Sequence, residues 1–183
     1  GGVQYVACAG NFKDAGLEYT GALKVLQMIF SYEYLWIQIR VKGGAYGCMC
    51  SFSDQGDSMF VTYRDPNLSE SYKVYDEAAD YVADFDADDR DMKKYIIGTI
   101  GSMDMPMEAV DMGARSFHAY FLGKTEADLQ KVRDQVLSCT QEDIRALAPI
   151  VKAVVEAGNR CCIGNEEKID QNKEYFDEVK HVL

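Results

Sequence analysis

The stretch Ile39–Cys50, IRVKGGAYGCMC, joins two different periodicities across a pair of glycines. Before it, from Thr20, residues Leu23, Leu26, Phe30, Tyr34 and Ile37 recur at steps of three or four. That pattern predicts an apolar helical stripe of roughly five turns, widened by Trp36 and Ile39. Gly43 and Gly44 stop the helix, as glycine does just past a helix end. After them, Ala45 to Ser53 reads as a strand, with Tyr46, Cys48, Cys50 and Phe52 on one face. The order is therefore helix, glycines, strand. A phosphate loop needs strand, glycines, then a helix N-terminus aimed at the anion. Here the loop meets the helix end that carries partial negative charge, so phosphate binding is excluded.

Outward from this junction, Val3–Phe12 is a β-rich run closed by Gly10 and Asn11. After the turn SDQGD, Ser58–Arg64 forms the return strand of a hairpin, and Asp65-Pro66-Asn67 breaks it. One helical stripe follows at Leu68, Tyr72, Tyr75, Ala79 and Val82, ending in the acidic run DFDADDRD. Met92–Ser102, Val110–Leu122, Glu126–Leu137 and Gln141–Ala157 read as helices. Capping starts are expected at Thr125 and Thr140, although the acid three residues on is Asp rather than Glu. Asn159–Asn165 is a short final strand, and the tail from Glu166 to Leu183 is expected to be helical and partly exposed. Helices segregated against a mainly antiparallel sheet give an α+β fold, a two-layer domain. No internal repeat, low-complexity segment or linker interrupts it, so residues 1–183 are read as one domain.

Composition narrows the function. The chain carries 19 Lys and Arg against 30 Asp and Glu, a net charge of -11. That balance argues against nucleic acid and against an anionic membrane surface, which need cationic stripes. No apolar run approaches the ~20 residues of a membrane span. The start, GGVQYVACAG, lacks the parts of a signal peptide and opens almost directly into strand-like sequence. This is expected of a segment cut from something longer, its leading glycines a cloning remnant. The six cysteines have no C-x₂-C spacing and apolar neighbours, which fits reduced thiols in a cytoplasmic chain.

Few residues offer chemistry. The two histidines, His118 and His181, are far apart in sequence, and the acidic run Asp84–Asp91 lacks the glycine and terminal Glu of a calcium loop. No G-x-S-x-G elbow is present. Cys48 lies near Arg40 and Lys42 in sequence, which leaves a reactive thiol open there. Arg40 and Tyr46 stand at the two ends of the glycine turn, and Gly43 and Gly44 let another backbone approach closely. A guanidinium and a phenol placed this way can hydrogen-bond a peptide carbonyl or stabilise an oxyanion. On residue types alone a plain structural role is the better reading, Arg40 as a cation at a helix C-terminus and Tyr46 as a core aromatic.

Three motifs in order carry a resemblance. LWIQIRVKGGAYGCMCSF, VTYRDPNLSESYKVYD and YIIGTIGSMD resemble the last domain of the presequence protease branch of the insulinase-like (pitrilysin) zinc metallopeptidases. The family patterns R-V-x-G-G-A-Y-G, S-Y-R-D-P-N-L and I-I-G-T-I-G fall at 40–47, 62–68 and 96–101, and EVKHVL resembles the family's finish. The resemblance covers essentially the whole chain.

It implies a clamshell enzyme of two halves, each of two such α+β domains. Zinc is then held by a His-x-x-Glu-His motif in the first domain, whose Glu is the general base. Arg40 and Tyr46 are implied to reach the substrate near that zinc, with Gly43 and Gly44 lining the same turn. Neither His118 nor His181 belongs to a His-x-x-Glu-His, so the expected zinc lies outside this chain and none is bound within it. The implied partners are the N-terminal catalytic half of the same polypeptide and unfolded oligopeptide substrates. The rival readings are a non-catalytic scaffold or core-subunit-like domain on the same fold, and a free-standing domain that adds an extended peptide to a sheet edge.

Overall fold

β1 (Tyr5–Asn11) is the strand around which the sheet is built. The computed structural model describes residues 2–181, and in it β1 lies between β3 (Asp57–Tyr63) and β4 (Asn159–Ile163). β2 (Gly47–Phe52) pairs with β3, giving the order β2-β3-β1-β4 with every pair antiparallel. One face, carrying Val6, Cys8, Cys50, Phe52, Phe60 and Thr62, is buried. Helices cover it: α1 (Ala22–Tyr32) packs on β2, α8 (Ala148–Glu156) packs on β1, and Tyr75 packs on Phe60. Phe30 of α1 meets Phe60 edge-on at 5.8 Å in the centre of this core. Truncating Phe60 to Ala would cost about 3–5 kcal/mol. The other sheet face is left uncovered by the described residues and presents Tyr5, Met49, Met59, Tyr63 and Ile163.

The predicted strands shorten at their ends, except that Ser58–Arg64 shifts by one residue to Asp57–Tyr63. Residues 3–4 are outside β1, although Gln4 bridges Asp65, and Phe12 turns into a 3₁₀ helix (Phe12–Ala15). The predicted long helix from Thr20 to the glycines is two pieces. α1 ends at Glu33 (φ -109°, ψ -82°), and Trp36–Lys42 winds as a π-helix. Its wider turn buries Leu35 and Ile39 four apart and leaves Ile37 and Trp36 exposed, so Ile37 is not part of the buried stripe. The stripe from Leu68 is also divided, into α2 (Ser69–Asp76) and α3 (Ala78–Ala83). The acidic run becomes the start of α4 (Asp89–Met103), where Asp88 accepts from the Asp91 N–H at 2.8 Å as N-cap.

α5 (Ala109–Phe121) has no buried residue, and α6 (Glu126–Leu137) begins at the Thr125 cap with Asp128 completing a capping box. The second cap, at Thr140, opens α7 (Gln141–Arg145) in the same way. The predicted helix 141–157 breaks between α7 and α8, where Pro149 occupies the first turn of the new helix and could not serve inside an old one. The tail departs from a single helix. α9 (Glu166–Asp170) and a 3₁₀ turn (Lys173–Tyr175) fold it back, so that Tyr175 and Phe176 pack on Tyr72. Gly1 and the last two residues of EVKHVL lie outside the described residues.

Candidate functional site

The glycine turn is made by the π-helix. The Gly43 N–H reaches back five residues to the Gln38 carbonyl at 3.0 Å, and the Ala45 N–H bonds to the Ile39 carbonyl at 3.1 Å. A Cβ on Gly43 would stand 2.5 Å from the Ile39 carbonyl oxygen, so only glycine closes this turn without a shift. Gly44 then takes φ +80°, the left-handed region that glycine occupies freely.

This turn brings Arg40 and Tyr46 together. The Arg40 guanidinium lies 4.5 Å from the centre of the Trp36 ring and 5.6 Å from that of Tyr46. It also donates to the Tyr46 backbone carbonyl. Tyr46 is 63% exposed, so it is not a core aromatic. It also leaves the face of Cys50 and Phe52 assigned to it by alternation, because the strand begins only at Gly47. Its N–H is shared between the carbonyls of Tyr63 (3.1 Å) and Arg64 (3.3 Å). The phenol ring turns toward Tyr63, edge-on at 5.5 Å, and Tyr63 meets Tyr5 at 5.4 Å. Gly47 pairs with Tyr63, and Tyr5 with Ile163, so the row lies across one end of the uncovered sheet face.

A second motif braces the turn from behind. The Asn67 side-chain amide donates to the Gly43 carbonyl at 2.6 Å. Asp65, fully buried, accepts from the Asn67 N–H at 2.9 Å and from the Ser71 hydroxyl at 2.6 Å. Lys168 donates to the Pro66 carbonyl. Single-residue reasoning missed Trp36, Tyr63, Arg64 and Asn67. The signals available were the i, i+4 spacing of Trp36 and Arg40, and the compact Y-R-D-P-N group.

The other candidates separate. Cys48 is half-buried, and burial pushes its thiol up to about 11 despite the opposing charge of Arg40. It stays a thiol at neutral pH and is a poor nucleophile. His118 is exposed on α5, and His181 lies 3.4 Å from Glu166. Among the described residues no group of three or more His, Cys, Asp or Glu could hold a metal ion. A cavity of about 700 Å³ opens between α1, α4 and α5, lined by Lys24, Met28, Thr99 and Arg115 among others. None of its lining residues belongs to the glycine turn, and Lys124 at its rim is already paired with Asp54.

Residues 1–165 match the family described as the PreP C-terminal domain. The chain is 43% identical over 183 residues to Protein HypA of Clostridium perfringens, covering all of this chain and 19% of that protein. It is 34% identical over 185 residues to Presequence protease 1, chloroplastic/mitochondrial, of Arabidopsis thaliana, covering 99% of this chain and 17% of that protein. The chain thus spans less than a fifth of the length of these relatives. In structure it is similar to a candidate zinc protease of Bordetella pertussis, with a TM-score of 0.65 at 15% identity over 88% of this chain and 93% of that one. At that identity the likeness shows a shared fold. No helix among the described residues is long and apolar enough to cross a membrane.

Proposed function

This chain belongs to the PreP C-terminal domain family of pitrilysin-type peptidases, and we propose that it is the substrate-chamber domain of a larger zinc-dependent, oligopeptide-degrading metalloendopeptidase. The zinc is assigned to the N-terminal catalytic half of the same polypeptide on the strength of the family resemblance, and neither His118 nor His181 stands in a His-x-x-Glu-His. The present chain contributes Arg40 and Tyr46, presented by the turn at Gly43 and Gly44.

The observation that carries this reading is the placement of the Arg40 guanidinium. It is held between the Trp36 and Tyr46 rings beside an exposed phenol, with no carboxylate of the described residues in ion-pair distance. A guanidinium carries five N–H donors, and only part of that set is used on the Tyr46 carbonyl. The remaining donors and the Tyr46 O–H can bind a substrate carbonyl oxygen. Those bonds strengthen as the oxygen gains negative charge, so they favour the transition state over the bound peptide. The uncovered sheet face, ending in Tyr46 and Tyr63, supports a role as chamber wall for an extended, unfolded peptide.

The scaffold reading draws on one observation. The bond from Arg40 to the Tyr46 carbonyl would also serve a rigid turn that meets no substrate. It gives no use to the exposed Tyr46 phenol. The free cysteines fit a reducing compartment, and we place the chain in the cytoplasm. The test is direct. The purified 183-residue chain should cleave no peptide and hold no stoichiometric zinc by metal analysis, and chelator-sensitive cleavage by this chain alone would overturn the assignment of zinc to another domain.

A further inference from the structure

Arg64 stands in the Y-R-D-P-N group and has no part in the reading above. It is the one non-glycine among the described residues with positive φ, at 49°. That conformation is costly for a long L side chain, and such outliers collect at functional sites. Its backbone is already part of the turn, since the Arg64 carbonyl shares the Tyr46 N–H. Its exposed guanidinium lies 5.7 Å from the Tyr63 ring centre. Arg40 therefore flanks Tyr46, Arg64 flanks Tyr63, and the two rings meet edge-on between them.

The charge at this place is opposite to that of the chain. With 30 acids against 19 bases, a cation here has many possible partners. Yet among the described residues neither Arg64 nor Arg40 has a carboxylate in ion-pair distance, and Lys42 bonds only to the neutral Gln38 side chain at 3.2 Å. The acid next in sequence, Asp65, is buried and directed to Ser71 and Asn67. Two guanidiniums held on aromatic rings and left without anions make a carboxylate-accepting end to the sheet. We propose that Arg64 is a specificity-determining residue that takes a carboxylate of the peptide held by Arg40 and Tyr46. This rests on the peptidase reading and adds the chemistry of its preferred substrate.

Three otherwise identical fluorogenic peptides test it on the full-length protein: one with a free C-terminal carboxylate, one with a C-terminal carboxamide, and one carboxamide with an internal Glu. The wild type is expected to favour at least one carboxylate peptide over the plain carboxamide by roughly five-fold in kcat/KM, the scale of an exposed ion pair. Which one it favours identifies the source of the carboxylate. Arg64→Gln should bring that ratio close to one through KM, with kcat unchanged, and Arg64→Lys should restore part of it. Arg64→Gly relieves the backbone strain, so it should lose the preference while Tm holds or rises. A preference that survives Arg64→Gln, an equal loss on all three peptides, or no preference in the wild type would overturn the assignment. If the protein cleaves none of the three, the peptidase reading fails instead. Calorimetric binding of the same peptides then decides Arg64 separately: tighter, Arg64-dependent binding of a carboxylate peptide upholds it, and equal affinity overturns it.

Discussion

The Asn67 side-chain amide and the Gly43 carbonyl, 2.6 Å apart, tie the end of the hairpin to the turn that carries Arg40 and Tyr46. The bond spans 24 residues of sequence and is backed by Asp65, which is itself held by Ser71. Asn67→Ala removes it and should cost about 1 kcal/mol. Trp36 is the chain's one tryptophan and touches Arg40, so its emission should shift with the loosened turn. Unchanged emission and unchanged Tm would show that Asn67 does not hold the turn.

The two glycines should not respond alike. At Gly43 an added Cβ meets the Ile39 carbonyl at 2.5 Å, whereas at Gly44 the nearest atom is Pro66 Cγ at 3.7 Å. Gly44→Ala then suffers only its positive φ, about 1–2 kcal/mol. Gly43→Ala has no φ penalty but must distort the π-helix to clear the Ile39 carbonyl, and should be the more destabilising in urea denaturation. The reverse order would contradict the described winding.

Buried thiols set an alkaline limit. Burial pushes Cys8 up to about 11, Cys162 to about 11 and Cys139 to about 12, from an ordinary 9.0. Their neutral forms are favoured in the fold, so the stability they contribute is complete below pH 9 and is lost as pH rises through 11. Tm should therefore fall between pH 9 and 11, and less steeply in Cys8→Ala. Exposed Cys161 should be alkylated first at neutral pH.

Arg160 holds the tail. Its guanidinium lies 5.0 Å from the Tyr72 ring centre and 5.2 Å from that of Tyr175, and it pairs with Asp76 at 2.6 Å. Arg160→Ala should cost about 1–2 kcal/mol and speed proteolysis within residues 166–176. Wild-type protease resistance in that segment would mean that Tyr72, Tyr175 and Phe176 suffice alone.

Much of this architecture was legible because periodicity reports burial. The stripe Leu23, Leu26, Phe30 and Tyr34 is buried as its spacing requires, and the caps at Thr125 and Thr140 start helices where an acid follows at the third position. Ile37 failed because a π-helix changes the period, and the cause lies in backbone hydrogen bonds that side-chain pattern does not display. The break at Pro149 is a signal that the reading of 141–157 as one helix did not use. At the site, spacing pairs Arg40 with Tyr46 only across a turn whose shape the chain does not spell out. The contacts of Asn67 with Gly43, and of Tyr46 with Tyr63, join residues far apart in sequence, so no local pattern announces them.

The central claim is that Arg40 and Tyr46 act on a substrate, beyond any part they have in holding the turn. Steady-state peptide cleavage by the full-length protein, with Tm measured in parallel, tests it for Arg40→Ala and Tyr46→Phe. Each should lower kcat by about 10²–10³-fold, the loss of one oxyanion donor. Tm should stay close to wild type for Tyr46→Phe and fall for Arg40→Ala only by the about 1–2 kcal/mol of its ring contacts and its bond to the Tyr46 carbonyl. Turnover near wild type in both variants would contradict the account and leave the turn as scaffold.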